Sequence, residues 1–368
     1  MKIFVDGYLL NKEYQGTRTY IVEIYKALSL LKPNFYIEFG VNDLNEELIA
    51  EFSGFSNIHF YIFKEKNKWK RMFTEYSDLS FQYDFMHFQY IIPFRVRNKK
   101  CRIINTIHDV LFLDYPKGFP FMYRLSRQIL FKRSAIKCDI LLTVSTYSKT
   151  KISKHFNISE NKIYITPNGV NLNFLEDYDK QEARRIIDER YKIKDYILYV
   201  SRIEPRKNQV QLLELFSNSK AVYEKNNLVF IGKKSLESTD FFDLLKNLPT
   251  DIRQKVFYIE QIDNNDLIKV YRAASYFVYP SLYEGFGIPP IEAAAAKIPV
   301  LCNNKTAMLD FSMLNPYLID FNNADISMKF NDFVLNNSSN LNFINNEIKK
   351  RYTWNESAKV LINCLLLS

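Results

Sequence analysis

Glycine is scarce. The 368-residue chain has nine, and none of them forms Gly-x-Gly-x-x-Gly or Gly-x-x-x-x-Gly-Lys-Ser/Thr. Those loops cradle the phosphates of dinucleotides and nucleoside triphosphates, so a nicotinamide or P-loop assignment has no support. Cysteine is scarce too. Cys101, Cys138, Cys302 and Cys364 are scattered, with no Cys-x-x-Cys pair. That excludes a disulfide framework and the usual zinc spacing and predicts a reducing, cytoplasmic setting. No apolar run approaches the ~20 residues that span a bilayer. The opening Met1-Lys2-Ile3-Phe4-Val5-Asp6 reads as a strand and lacks the basic start and long apolar core of a secretory signal.

Acidic residues are what the first half has too few of. Residues 1–168 carry 25 Lys and Arg against 16 Asp and Glu, whereas the remainder carries 25 of each. The net charge of +9 therefore sits in one half and predicts an anionic partner, such as a membrane surface or a phosphorylated acceptor. No nucleic-acid recognition module accompanies it, so no nucleic-acid partner is expected. The stretches Phe63–Phe73 and Tyr123–Lys137 interleave cations with large apolar residues. Such segments lie on anionic lipid, and peripheral contact with the inner face of the cytoplasmic membrane is the expectation. The plainer reading is a solvated helix face over an ordinary core.

Short, nearly continuous apolar runs alternate with helical patterns. Strands are expected at Lys2–Asp6, Tyr36–Gly40, Ile58–Phe63, Asp84–Phe88, Arg102–Ile107, Ile140–Val144, Ile163–Thr166, Tyr196–Ser201, Leu228–Gly232, Val256–Glu260, Tyr276–Pro280 and Pro299–Cys302. Runs such as Tyr196-Ile197-Leu198-Tyr199-Val200 suit strands covered on both faces, and the alternation predicts an α/β fold with parallel sheets. Thr166-Pro167-Asn168-Gly169 is a break. It divides the chain into a domain at 1–168 and a second at 169–351, two Rossmann-like domains facing a central cleft. A last helix within 352–368 is expected to cross back to the first domain. Gly40, Gly54 and Gly118 read as turn residues, and Asn336-Asn337 and Asn345-Asn346 as loops.

Four clusters carry chemistry. The densest is Pro280–Ala296, where a buried strand gives way to a glycine loop and then to a helix with prolines in its first turn. A helix N-terminus suits an anion or a sugar hydroxyl. Glu284 and Glu292 bracket the loop and can reach two parts of one extended ligand, though two solvated glutamates would fit the spacing equally well. The second cluster is Arg202-Ile203-Glu204-Pro205-Arg206-Lys207, at the end of a strand. Its cations suit a diphosphate leaving group, and a solvated basic loop is the bland alternative. The third is Thr106-Ile107-His108-Asp109. His108 can bond a sugar hydroxyl or move a proton, but a lone His is more often structural, and His59, His87 and His155 are read that way. The fourth is Gly16-Thr17-Arg18, a loop ahead of a helix at Thr19–Leu31. Asp177-Tyr178-Asp179 has the form of a metal-holding pair but sits in a polar linker; it is taken as chance, with no metal and no cofactor expected.

In this order the clusters resemble glycosyltransferase family 4, whose members have the GT-B fold. The most specific part is Glu284 to Glu292, similar to that family's Glu-x7-Glu motif. Gly16 with Arg18 and Tyr20, Thr106–Asp109, Thr143-Val144-Ser145, Pro167–Val170 and Arg202 with Lys207 add to it. The resemblance implies a retaining hexosyltransferase. Arg202 and Lys207 would bind the donor diphosphate, and Glu292 the ribose. Glu284 and the backbone of Gly285, Phe286 and Gly287 would hold the sugar. His108 would touch the sugar, Gly16 would line the diphosphate and acceptor side, and the base would lie at Ile262. Tyr283–Glu292 and His108-Asp109 look most like mannosyl- and rhamnosyl-transferring members. That implies GDP-mannose as donor and a glycan or lipid-linked glycan as acceptor, with rhamnose, glucose, galactose or N-acetylglucosamine as alternatives. An epimerase or hydrolase on the same fold, or a sugar-nucleotide-binding scaffold, are the competing readings. Asn303-Asn304-Lys305-Thr306-Ala307 departs from the family pattern.

Overall fold

The computed structural model describes residues 1–11, 16–235 and 238–367; Ser368, at the end of the expected last segment, lies outside them. The chain divides into two compact units, Met1–Gly169 with Trp354–Ser368, and Val170–Thr353. The first holds β1 (Lys2–Asp6), β2 (Tyr36–Val41), β3 (Ile58–Ile62), β4 (Phe85–Gln89), β5 (Arg102–Thr106), β6 (Ile140–Thr143) and β7 (Ile163–Ile165), in the spatial order β3-β2-β1-β4-β5-β6-β7. The second holds β8 (Tyr196–Val200), β9 (Asn227–Ile231), β10 (Val256–Ile259), β11 (Tyr276–Tyr279), β12 (Val300–Asn303) and β13 (Leu318–Ile319), in the order β10-β9-β8-β11-β12-β13.

Every strand pair is parallel. Consecutive core residues are buried on both faces, as at Ile3-Phe4-Val5 and Ile197-Leu198-Tyr199. Helices on both sides of a parallel sheet produce that burial. The α/β class and the two Rossmann-like sheets expected from the sequence are therefore present. All the expected strands occur, each within one residue of its expected limits. Only β13 was not anticipated, because two residues carry no periodicity.

Strand order reverses between β1 and β4 in the first unit and between β8 and β11 in the second. At such a reversal the connecting helices leave on opposite faces, and the loops at the carboxyl ends of the two strands part to form a crevice. This places two loops of the second unit side by side, residues 201–208 after β8 and residues 280–287 after β11.

Three local expectations need correction. Gly40 is not a turn residue: it lies inside β2, and a Cβ there would come 2.4 Å from the Phe4 ring and 2.5 Å from Phe63. Close packing of aromatic rings over the sheet demands it. Asn345-Asn346 is not a loop: it lies within the helix Leu341–Arg351, where buried Asn345 donates to the Ala295 carbonyl at 2.7 Å. Gly16 is the first residue of the helix Gly16–Leu31, not part of a loop before Thr19.

The helix Trp354–Leu367 belongs to the first unit. It packs on the helix Gly16–Leu31. Trp354, Ala358, Leu361, Ile362 and Leu365 form its buried stripe, the spacing of one helical face. The Trp354 ring meets Tyr20 edge-on at 6.1 Å, and the Ser357 hydroxyl donates to the Pro167 carbonyl.

Candidate active site

The loops after β8 and β11 are sewn together. The Leu282 N–H donates to the Arg206 carbonyl at 2.9 Å, and the Arg206 guanidinium donates to the Tyr283 carbonyl at 2.9 Å. The Asn208 amide donates to the Pro280 carbonyl at 3.3 Å. Asn208 adopts a left-handed conformation, φ 61°, which asparagine tolerates better than most residues and which turns the chain from Pro205–Lys207 into the next helix. Behind this pair, Tyr199 of β8 and Tyr279 of β11 stack at 5.5 Å.

At the seam sits Glu284. It is 7% exposed, so the reading of a solvated glutamate is wrong. One carboxylate oxygen accepts from Lys207 Nζ at 2.5 Å, Tyr279 Oη at 2.7 Å and Ser281 Oγ at 2.8 Å. The other lies 3.6 Å from the Arg206 guanidinium. Burial alone would raise its pKa. The Lys207 charge, then Arg206 and the hydrogen bonds, overcome that and hold it down to about 2. Lys207 is itself buried; burial lowers its pKa and Glu284 pulls it back up. The pair is charged, and a charged pair out of water needs the extra hydroxyl partners it has here.

The two cations expected on a diphosphate thus differ. Lys207 is engaged with Glu284 and Tyr279. The exposed Arg202 side chain makes no hydrogen bond or ion pair with any described residue. Its backbone is fixed instead: the Arg202 carbonyl accepts from Gln209 at 2.6 Å, and Gly232 presses on the turn. A Cβ on Gly232 would lie 2.0 Å from the Ser201 carbonyl oxygen, at a φ of +150°.

The second glutamate of the motif lies in the helix Ile288–Ala295. Glu292 accepts from Tyr271 Oη at 3.0 Å. Burial pushes its pKa up to about 7 against that hydrogen bond. The two glutamates are therefore opposite in character, one firmly ionised and one poised to titrate at neutral pH. Between them, Gly287 has φ +96°, which an L side chain strongly disfavours, and it precedes the helix with its prolines in the first turn. The Phe286 ring is turned inward, edge-on to Phe311 at 5.6 Å and Tyr352 at 5.9 Å. Ile262 is half-buried in the loop between β10 and the helix Asn264–Ala273.

In the first unit His108 follows β5. It is 7% exposed. Its Nε2 bonds Gln89 Oε1 at 2.7 Å, and its ring meets Tyr20 edge-on at 4.8 Å. Burial takes its pKa down to about 3, so the ring is neutral and offers hydrogen bonding rather than charge. The Gln89 amide nitrogen reaches His87 Nε2 at 3.3 Å, and His87 Nδ1 meets Tyr25 Oη at 2.8 Å. His87, read as structural, is the far end of this chain of buried hydrogen bonds. Gly16 is exposed at the helix start. Arg18 is committed inward, to Glu51 at 2.7 and 3.3 Å and to the Leu10 carbonyl.

The Asp177-Tyr178-Asp179 triplet has other work. Asp177 pairs with Lys297 at 3.0 Å, Tyr178 donates to the Ala296 carbonyl, and Asp179 caps the helix Lys180–Tyr191. Sequence reading missed Tyr279, Ser281, Tyr271 and Gln89, and took Arg206 only as one of the cations suited to a diphosphate. Ser281 and Arg206 lay inside the quoted clusters, and only their bonding distinguishes them. Gln89, a polar residue ending an apolar strand, left no signal.

Comparison with known proteins bears on the family. Residues 37–174 match the family model described as Glycosyltransferase Family 4. Residues 180–350 match Glycosyl transferases group 1. The chain is similar to the O-antigen chain mannosyltransferase RfbU of Salmonella typhimurium, 31% identical over 202 residues, covering 54% of this chain and 51% of the relative. It is also similar to O-antigen chain mannosyltransferase B of Escherichia coli, 27% identical over 213 residues, covering 56% and 54%. The matched region thus spans about half the length of these relatives. Among solved structures, sucrose-phosphate synthase from Thermosynechococcus elongatus superposes with a TM-score of 0.76 at 15% identity over all of both chains, which shows the shared fold. With both sheets, the Glu284–Glu292 loop and helix, and both family models in agreement, the chain belongs to glycosyltransferase family 4.

Proposed function

We propose that this protein is a retaining glycosyltransferase that moves a hexose, mannose from GDP-mannose, onto a glycan or lipid-linked glycan acceptor. The observation that carries the reading is Glu284. It is a buried carboxylate, held ionised by Lys207, Tyr279 and Ser281, at the head of a loop whose backbone opens toward a helix N-terminus. An ionised acceptor with fixed orientation suits sugar hydroxyls, and the adjacent N–H groups suit their oxygens. Arg202, exposed in the loop after β8, binds the diphosphate in this reading. Glu292 accepts from the ribose hydroxyls, and Ile262 lies along the base. His108, neutral, bonds a sugar hydroxyl, and Gly16 lines the acceptor side. The names of the mannosyltransferase relatives support the choice of sugar.

In the transfer the bond from the anomeric carbon to the diphosphate oxygen breaks, and a bond to the acceptor hydroxyl oxygen forms on the same face. The acceptor proton passes to the departing phosphate oxygen, with no metal or cofactor assigned a part. Arg202 and Lys207 stabilise the charge that develops on that oxygen. For Lys207 this requires sharing its ammonium between Glu284 and phosphate. A thermal-shift screen against GDP-, UDP- and dTDP-sugars tests the donor, because a ligand that binds only the folded state raises its stability. Stabilisation by GDP-mannose is expected. No response to any nucleotide-sugar would overturn the reading, and the sugar-nucleotide-binding scaffold with it.

A membrane-bound acceptor fits one surface of the first unit. The helix Phe121–Lys137 has no acidic residue. It exposes Phe121 (66%), Met122 (70%) and Ile129 (60%) among Arg124, Arg127 and Lys132. Phe94 joins it to Lys68–Phe73, stacking on Phe73 at 4.7 Å while Arg133 lies 4.8 Å over its ring. Among the described residues no helix is long and apolar enough to cross a membrane. Contact is therefore proposed to be peripheral, on the inner face of the cytoplasmic membrane. Each cation near an anionic surface is worth about 1 kcal/mol. Flotation with anionic vesicles at low salt, lost in Phe121→Asp/Ile129→Asp, is expected; absence of flotation for the parent protein would reject the contact.

A further inference from the structure

Thr306 combines two features that rarely coincide. It is β-branched, and it has a left-handed backbone, φ 55°. A branched side chain in that region is a true outlier, and such outliers persist where the surroundings impose them. Here the imposition is visible. The Glu284 N–H donates to Thr306 Oγ1 at 3.1 Å, while the Thr306 hydroxyl donates to the Lys305 carbonyl at 2.7 Å. The next residue completes the grip: the Ala307 N–H donates to the Glu284 carbonyl at 3.4 Å.

Further contacts join the same two segments. A Cβ on Gly287 would meet Met308 Sδ at 3.4 Å, and Phe311 meets the Phe286 ring edge-on at 5.6 Å. Lys305, at the start, is tied to Asp320 at 3.1 Å. The glutamate side chain is held by the residues described above, but the backbone that carries it is held from behind by this second segment.

We infer that the segment Lys305–Phe311 is a template that sets the conformation of the Glu284–Gly287 loop, and that Thr306 is the positioning residue that makes the loop selective for its sugar. The segment works without touching the ligand. Altering it shifts where Glu284 and the loop that follows it stand relative to a sugar, and so changes which hydroxyl pattern fits. This rests on the reading of Glu284–Gly287 as the sugar-holding loop.

The test uses the full chain and three substitutions. Thr306→Ser keeps the hydroxyl, Thr306→Gly keeps the backbone conformation without it, and Thr306→Val keeps the shape without it. Binding of GDP, GDP-mannose, UDP and UDP-glucose is measured by calorimetry, with unfolding temperature as the fold control. Thr306→Gly should melt close to the parent, because glycine accepts φ > 0. It should bind the bare nucleotide as the parent does but lose about tenfold for the nucleotide-sugar, the scale of one lost hydrogen bond. Thr306→Ser should restore binding to within about threefold of the parent. Equal sugar affinity in the parent and a stably folded Thr306→Gly overturns the inference, as does equal loss of nucleotide and nucleotide-sugar. If the parent binds no nucleotide-sugar at all, it is the functional reading that falls.

Discussion

Glu284 and Lys207 form a buried pair in which each charge depends on the other, whatever each does to a ligand. Removing one leaves the other charged and buried, at a cost of about 3–5 kcal/mol. Glu284→Gln and Lys207→Met should each lower the unfolding free energy by about that amount, and the double change should cost less than the sum. Denaturant titration of the four proteins checks it; additive losses would mean the two charges do not interact. Glu292 predicts a pH effect of the opposite kind. Its pKa is raised to about 7, so near neutrality the unliganded carboxyl is partly protonated. Ribose hydroxyls that donate to it favour the ionised form. Nucleotide affinity should therefore weaken as pH falls from about 8 to 6 and become flat in Glu292→Gln, measured by calorimetry at several pH values. The residues that could be read from sequence were those with a chemistry of their own: Glu284, Glu292, Lys207, His108. Tyr279, Tyr271 and Thr306 could not. An aromatic in a buried strand or a threonine after one is ordinary in sequence, and each has a bonding partner distant along the chain: Lys207 for Tyr279 (72 residues), Glu292 for Tyr271 (21 residues) and Glu284 for Thr306 (22 residues).

At the scale of elements, central strands such as β8 and β11 were legible because they are buried on both faces and so appear as unbroken apolar runs, while the edge strands β3 and β7 are partly exposed. Their ends moved by a residue because the last residue of a strand is defined by pairing, which sequence does not print. Glycines were harder. Gly40 looked like a turn and serves the packing of two aromatic rings over β2. Gly232 looked like a strand end and serves the loop beside it. Both effects come from what lies across the sheet. Gly232→Ala supplies a prediction: the new methyl would meet backbone at Ser201, not a flexible side chain. The 201–208 loop must then shift or the φ must change. A stability loss of about 2 kcal/mol or more is expected by denaturant titration, with a larger loss of diphosphate affinity than Gly54→Ala, whose Cβ would meet nothing within 4 Å.

The whole molecule couples to pH through groups of opposite sign in its two units. In the first unit His87 and His108 both have pKa values lowered to about 3 by burial. Each is neutral when folded and takes a proton near pH 6.5 when unfolded. Their contribution is complete above about 6.5 and is lost as pH falls from there toward 3. Together they should cost the first unit about 2–3 kcal/mol between pH 7.5 and 5.5. In the second unit the raised Glu292 acts the other way: its contribution is present at low pH and is lost as pH rises through about 7. Amide exchange should therefore quicken in β4 and β5 on mild acidification, with no matching change in β11 and the helix Ile288–Ala295. His108→Gln should remove about half of the acid loss.

The first unit is also made from both ends of the chain. Its sheet and the helix Gly16–Leu31 come from the first part, and the helix Trp354–Leu367 that covers them comes from the last. On the ribosome, the early part must wait through the synthesis of all of Val170–Thr353 before its partner exists. Throughout that interval the ring of Tyr20 lacks the Trp354 it meets in the finished fold. A message truncated before Trp354 would give a complete second unit joined to a first that cannot close. Nascent chains should be most vulnerable to aggregation and protease in the first unit, and only until the last helix emerges.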